Sequence, residues 1–248
     1  MADLVLSESL VDEYLKFKDN SGFDKSKTQK LLKHILSFPL KNNHSLMQDP
    51  AMAMQLEGSD PLIEITDVLN DTDLVQSSRL KLMLIDKAIS PMSSFTTVNI
   101  TGILPEKLQP KYGATYPNAT DKAKAQAHIK ALLSDAKWIK ITDAYIAASA
   151  SWQENKSLIQ SLLPNITVNV TIVGADIQQN KMSLDQNQKT EIQTLCANWA
   201  VNCSVLNNQT THDRYIETDQ VKILLSSGLY HLSVTSSKDF TYVIELKP

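Results

Sequence analysis

Two arginines, two cysteines and six glycines in 248 residues are the scarcities of this chain, and each excludes something. Six glycines leave little room for a glycine-rich phosphate loop. Neither a dinucleotide fingerprint nor a Gly-x-Ser-x-Gly elbow occurs, so a nucleotide-fuelled enzyme is not expected. Cys196 and Cys203 lack the cysteine pairs and histidines of a zinc site, so neither a metal nor another cofactor is expected. Cys196 falls on the apolar side of a helical stripe, where a buried free thiol is commoner than a disulfide. No apolar run approaches the roughly 18 residues of a membrane span. The opening MADLVLSESLVDEYLKF has neither the basic lead nor the apolar block of a secretory signal. The expectation is a cytoplasmic chain in a reducing compartment with no transmembrane segment. Asn-X-Ser/Thr triplets such as Asn99-Ile-Thr then carry no meaning. A formal charge of −3 advertises neither nucleic acid nor an anionic membrane, although a local site can still attract either.

What is present is a change of texture near the middle. Leu31, Leu32, Ile35 and Leu36 recur at helical spacing behind Asp24, and Leu80, Leu84, Ile85 and Ala88 do so behind Thr72 or Asp73. Pro39, Pro50, Gly58 and Pro61 punctuate the text between them. Residues 1–92 are therefore expected to be a mainly helical region. The β-branched FTTVNITGIL and the turn-rich PEKLQPKYGATYPNAT make residues 93–118 an extended linker or edge strand.

From residue 119 helix and strand alternate. Ala125, Ile129, Leu132, Leu133 and Ala136 form one stripe, and WIKITDAYI reads as a strand running out at Asp143 and Tyr145. Ser151-Trp-Gln-Glu154 reads as a capping box for a helix that carries Leu158, Ile159, Leu162 and Leu163 and stops at Pro164. In ITVNVTIV, Ile166, Val168, Val170 and Ile172 face one way and Thr167, Asn169 and Thr171 the other. A further helix, with Ile192, Leu195, Cys196 and Trp199 on one face, and four short extended pieces close the chain. The pattern predicts an α/β fold, a mixed sheet flanked by helices over 119–248.

One of the two arginines, Arg214, stands in HDRYIETD. If 211–217 is a strand, His212 and Arg214 project to the same face. An imidazole beside a planar guanidinium suits a phosphate: the first attacks phosphorus or donates to an oxygen, and the second grips two oxygens at once. Asp219, past the strand end, is placed to orient such groups. Asp143 and Tyr145, at the end of another predicted strand, occupy a position where open α/β sheets keep functional groups, or they cap the next helix. His34, His44, His128 and His231 are better read as surface or packing residues, and the lysines 25, 27, 30 and 33 as a solvated helix face.

The spacing H-x-R-x4-D resembles the H-x-K-x4-D motif of the phospholipase D superfamily, with arginine in the lysine position. The longer string THDRYIETDQVKILLSSGLYHL is similar to the HDR variant in the phospholipase D-like C-terminal domain of MIT (microtubule-interacting and trafficking) proteins and of bacterial relatives. Asp143-Ala-Tyr145 matches their D-x-Y tripeptide and Gly228-Leu229 their Gly-Leu. The resemblance covers about residues 120–248. It implies a phospholipase D-like fold, His212 as nucleophile, Arg214 as phosphate clamp with Asp143 and Tyr145 beside it, and Asp219 as orienter. A single motif copy implies a homodimer to complete the site. The ligand implied is a nucleic-acid backbone or a lipid headgroup, and the activity a phosphodiesterase or nuclease, in an antiviral defence or mobile-element system. The arginine in the lysine position favours holding over cutting, and the Tyr230-His231 pair, where relatives carry an acidic residue, departs from their complete site. The other reading is a catalytically dead scaffold that binds proteins or lipid headgroups, its N-terminal region docking a larger partner.

Overall fold

The computed structural model describes residues 4–19, 21–35, 40–41, 63–64, 70–87, 94–101, 112–177, 180–181, 184–206 and 214–247. They fall into two compact units, Met1–Tyr112 and Gly113–Pro248.

The N-terminal unit has its helices where the sequence places some of them: α1 over Glu8–Lys18, α2 over Lys25–Ile35 and a short α3 over Asp71–Gln76. Asp24 caps α2, its Oδ1 accepting the Ser26 and Lys27 amides at 2.8 and 3.1 Å. What the periodicity did not supply is a five-stranded parallel sheet of order β3-β2-β1-β4-β5. Its strands are β1 (Leu4–Leu6), β2 (Leu40–Lys41), β3 (Ile63–Glu64), β4 (Leu82–Ile85) and β5 (Thr96–Asn99). The helical stripe read through Leu80, Leu84 and Ile85 is thereby corrected. The helix there is α3, capped by Asn70, whose side chain accepts the Asp73 amide, and the apolar run after it is β4. All four residues of β4 are buried, and a short run apolar on both faces has no periodicity that separates strand from helix. Ala88 lies outside the described residues. Lys81, just before β4, takes φ +50°, the left-handed turn that swings the chain from helix into sheet.

The C-terminal unit is a mixed sheet of order β10-β8-β7-β11-β12-β13-β6, with a small strand β9 (Asn180–Lys181) beside β8. Strands β7 (Trp138–Thr142), β8 (Val168–Ile177) and β10 (Trp199–Leu206) run parallel. Antiparallel to β7 comes β11 (Tyr215–Thr218), then β12 (Val221–Leu225), β13 (Phe240–Leu246) and the edge strand β6 (Tyr112–Tyr116). The alternation in the sequence is the alternation of burial. Ile139, Ile141, Val170, Ile172, Ile216, Ile223 and Ile244 are all at most 1% exposed, whereas Lys140, Tyr215 and Lys222 stand on the other face. Each such apolar side chain contributes about 1.5–3 kcal/mol of burial.

The helices of this unit are α4 (Ala119–Leu133), α5 (Trp152–Leu162) and α6 (Gln186–Leu195). Asn118 caps α4 by accepting the Asp121 amide. The capping box expected at Ser151–Glu154 is not formed: Ser151 is the N-cap, but its hydroxyl donates to the Ala148 carbonyl one turn back. The capping box of this unit stands at Asp185–Gln188, where both reciprocal bonds are made. The helix expected to run through Cys196 and Trp199 stops at Leu195, and Trp199 opens β10, so Cys196 is half-buried beyond the helix end, where its thiol donates to Asn165 Oδ1; Cys196 and Cys203 are both free. No described helix is long and apolar enough to cross a membrane, and no group of three metal-ligating side chains occurs among the described residues.

Candidate phosphate-binding site

The register of two antiparallel strands builds the site. Tyr215, the first residue of β11, pairs with Thr142, the last of β7. One step outward, Arg214 therefore meets Asp143. The Asp143 side chain is 1% exposed and Arg214 Nε lies 3.4 Å from its Oδ1. The carboxylate has two further partners. Oδ1 also accepts the Tyr145 amide at 2.9 Å, and Oδ2 accepts the Leu229 amide at 2.8 Å, so a buried charge is met by two backbone donors and a cation. The Arg214 guanidinium carbon sits 5.4 Å from the centre of the Tyr145 ring, a cation–π contact. Its own carbonyl accepts the Leu225 amide, tying the start of β11 to the end of β12.

Gly228 lets this happen. A Cβ there would come within 2.8 Å of the Tyr230 ring and 3.5 Å of Asp143 Oδ2, so a side chain would push the Leu229 amide off the carboxylate. After it the chain makes a 3-10 turn over Leu229–Leu232, which brings Tyr230 and His231 to the same place. The result is a cleft of about 430 Å³ lined by Tyr145, Arg214, Ser227, Gly228, Tyr230 and His231, among others. Two buried polar atoms on its walls, Arg214 Nε and Ser227 Oγ, have no hydrogen-bond partner among the described residues. Buried donors are rarely left in that state without reason. Burial pushes the His231 imidazole below its usual range, as do Lys238, Lys122 and Arg214 in turn, against a smaller opposing pull from Asp143.

The structure thus brings Asp143, Tyr145 and Arg214 together. His212 lies outside the described residues. Asp219 is at the far end of β11, beyond Thr218, and is not brought to the Arg214 end. There it accepts the Lys137 amide at 2.9 Å and pins the β11–β12 turn to the start of β7, while Thr218 Oγ1 accepts the Gln220 and Val221 amides. His231 was read from the sequence as a surface or packing residue, and Ser227 was not singled out; both line the cleft. The one signal for them was adjacency to Gly228-Leu229, since neither type in isolation is distinctive.

Residues 126–243 match the family described as the phospholipase D-like domain at the C-terminus of MIT. The C-terminal unit carries a phospholipase D-like domain. The match begins within α4 and ends within β13, and so takes in Asp143, Tyr145, Arg214 and the Gly228 turn. Among solved structures the chain is similar to NucT from Helicobacter pylori, at 12% identity and a TM-score of 0.34, over 54% of this chain and 84% of that one. It is similar also to phosphatidylserine synthase of Haemophilus influenzae Rd KW20, at 11% identity and TM-score 0.32, over 56% of this chain and 35% of that one. A third is polyphosphate kinase of Porphyromonas gingivalis, at 12% identity and TM-score 0.32, over 55% and 23%. The chain thus spans about a third of the synthase and a quarter of the kinase. No curated protein sequence matches it.

Proposed function

We propose that the phospholipase D-like domain recognises a phosphate ester in the cleft beside Arg214, with the backbone of a nucleic acid as its ligand. The observation that carries this reading is the setting of Arg214: its Nε faces a buried carboxylate at 3.4 Å, and its side chain, 19% exposed, lines a cleft of about 430 Å³. Asp143 fixes the side chain, and the fork that remains suits two oxygens of one phosphate. Tyr145 and Tyr230 give the same cleft two aromatic rings of the kind on which unpaired bases stack, which favours a single strand over a lipid headgroup. His212, two residues before Arg214, is the candidate nucleophile, and a second copy of the chain would supply the partner group that a single motif lacks. Such a protein would serve as an effector or accessory module against foreign nucleic acid in a bacterial defence or mobile-element system.

A second reading, binding without turnover, is favoured by the Tyr230-His231 pair and by the arginine itself, a group that clamps and does not transfer protons. Both readings predict that a single-stranded oligonucleotide binds and that Arg214→Ala weakens binding about 100-fold, the ~2–3 kcal/mol of a charge-assisted bidentate contact. Fluorescence anisotropy measures it. Binding unchanged by the substitution would remove this site. Release of nitrophenolate from a phosphodiester reporter, lost in His212→Ala, separates cutting from holding.

A further inference from the structure

An imidazole stands in the wall of the Arg214 cleft, and the HDR string does not contain it. His231 belongs to the turn Leu229–Leu232, held in place by the Leu229 amide on Asp143. It is 8% exposed and lines the cleft together with Arg214 and Ser227. Its Nδ1 lies 3.1 Å from Ser236 Oγ, and that oxygen also accepts the Lys238 amide at 3.3 Å. The Tyr230 ring lies against the imidazole, centroids 3.8 Å apart. Nδ1 is thereby engaged on the protein side, and Nε2 is the nitrogen with no protein partner among the described residues.

We propose that His231 is an anion-binding residue of this cleft, acting with Arg214, and that it takes up a proton when an oxyanion enters. The proposal rests on the reading of the cleft as a phosphate site. It adds a titrating partner from the same chain to a guanidinium that cannot titrate.

The charges around the imidazole give the coupling its sign. Without a ligand, burial and the cations Lys238, Lys122 and Arg214 all disfavour a proton there, and only Asp143 favours it. Of the helices packed on this turn, α4 presents Lys122, whose Nζ donates to the Ser236 carbonyl at 2.6 Å, while its Lys124 is taken by Asp121. On α5, Lys156 is taken by Glu191, and Glu154 lines a different surface groove with Gln126 and Ser157. An anion beside Arg214 reverses the local field, so proton and anion bind more tightly together than apart. Affinity therefore falls as pH rises through the histidine range.

Sulfate tests this, because its own charge is constant between about pH 5 and pH 8, where histidine titrates. Calorimetry on the full chain should give binding about tenfold tighter at the acid end, the equivalent of one pKa unit of linkage. His231→Gln should flatten that slope, and His34→Gln, on a helix of the N-terminal unit, should preserve it. A slope that survives in His231→Gln, or vanishes in His34→Gln, overturns the proposal. Arg214→Ala should abolish binding at both ends; failure of that arm alone is failure of the phosphate-site reading. Should His231→Gln not fold, imidazole NMR of the unaltered chain decides: saturating sulfate should raise the His231 titration midpoint, and an unmoved midpoint contradicts the assignment.

Discussion

The two units each place a cluster of charged and hydroxyl side chains at the carboxyl ends of parallel strands, and they treat it in opposite ways. In the N-terminal unit the sheet order reverses between β1 and β4, a position where open α/β sheets commonly bind ligands. Among the described residues, what stands there is self-contained. Asp86, just past β4, accepts Ser9 Oγ on one oxygen and pairs with Lys27 at 2.5 Å on the other. Glu13 accepts the Asp24 amide and the Thr28 hydroxyl and lies 3.8 Å from Lys27. Burial alone would push the Asp86 carboxyl up, but the hydrogen bonds from Lys27 and Ser9 outweigh it and hold it low. In the C-terminal unit Asp143 is similarly satisfied, yet among the described residues Ser227 Oγ has no hydrogen-bond partner and Arg214 Nε has only the ion pair to Asp143, and both residues border a cleft. A closed network at a sheet end binds its own elements together. An open one, with polar groups left over beside a cleft, is where the proposed ligand would bind.

The comparison can be pressed from both sides. Asp143→Ala should have the largest effect, because it orphans the Tyr145 and Leu229 amides and leaves a half-buried guanidinium unpaired. A loss of about 3–4 kcal/mol in chemical denaturation is expected, with loss of anion binding. Lys27→Met, at the closed cluster, should cost about 2 kcal/mol by leaving Asp86 short of its cation, and should not change affinity for any phosphate. If it weakened phosphate binding, the N-terminal cluster would be a site and the contrast would fail. The smallest effect concerns pH. His231 has a lowered folded-state pKa, so the unfolded chain binds its proton more readily, and stability falls as pH drops below the ordinary 6.5. That part of the slope in denaturation midpoints should disappear in His231→Gln.

The C-terminal unit was legible because its strands have one buried face. Period-two alternation over Val168–Ile172, and again at Ile216, Ile223 and Ile244, carries both the element and its orientation. Its helices were legible from apolar stripes, though not from caps: the Ser151–Glu154 string matches a capping box that the hydroxyl does not make. The N-terminal sheet was illegible for the converse reason. Its strands run two to four residues, and β1 and β4 are buried throughout, so LVL and LMLI carry no period. At the site, Asp143, Tyr145 and Arg214 could be read from a motif because strand ends put them side by side. Asp219 sits in the same motif but at the other end of a four-residue strand, where it fastens a turn. His231 was read as a surface or packing residue because its place depends on a tertiary contact, the Leu229 amide on a carboxylate 86 residues earlier.

The most direct test of the central claim is a crystal of the protein soaked in sulfate or a short phosphodiester. The account predicts an ordered oxyanion in contact with the Arg214 guanidinium, within the cleft bounded by Ser227 and His231. Arg214 turned wholly onto Asp143, with the anion bound elsewhere or the cleft filled by protein side chains, would contradict it.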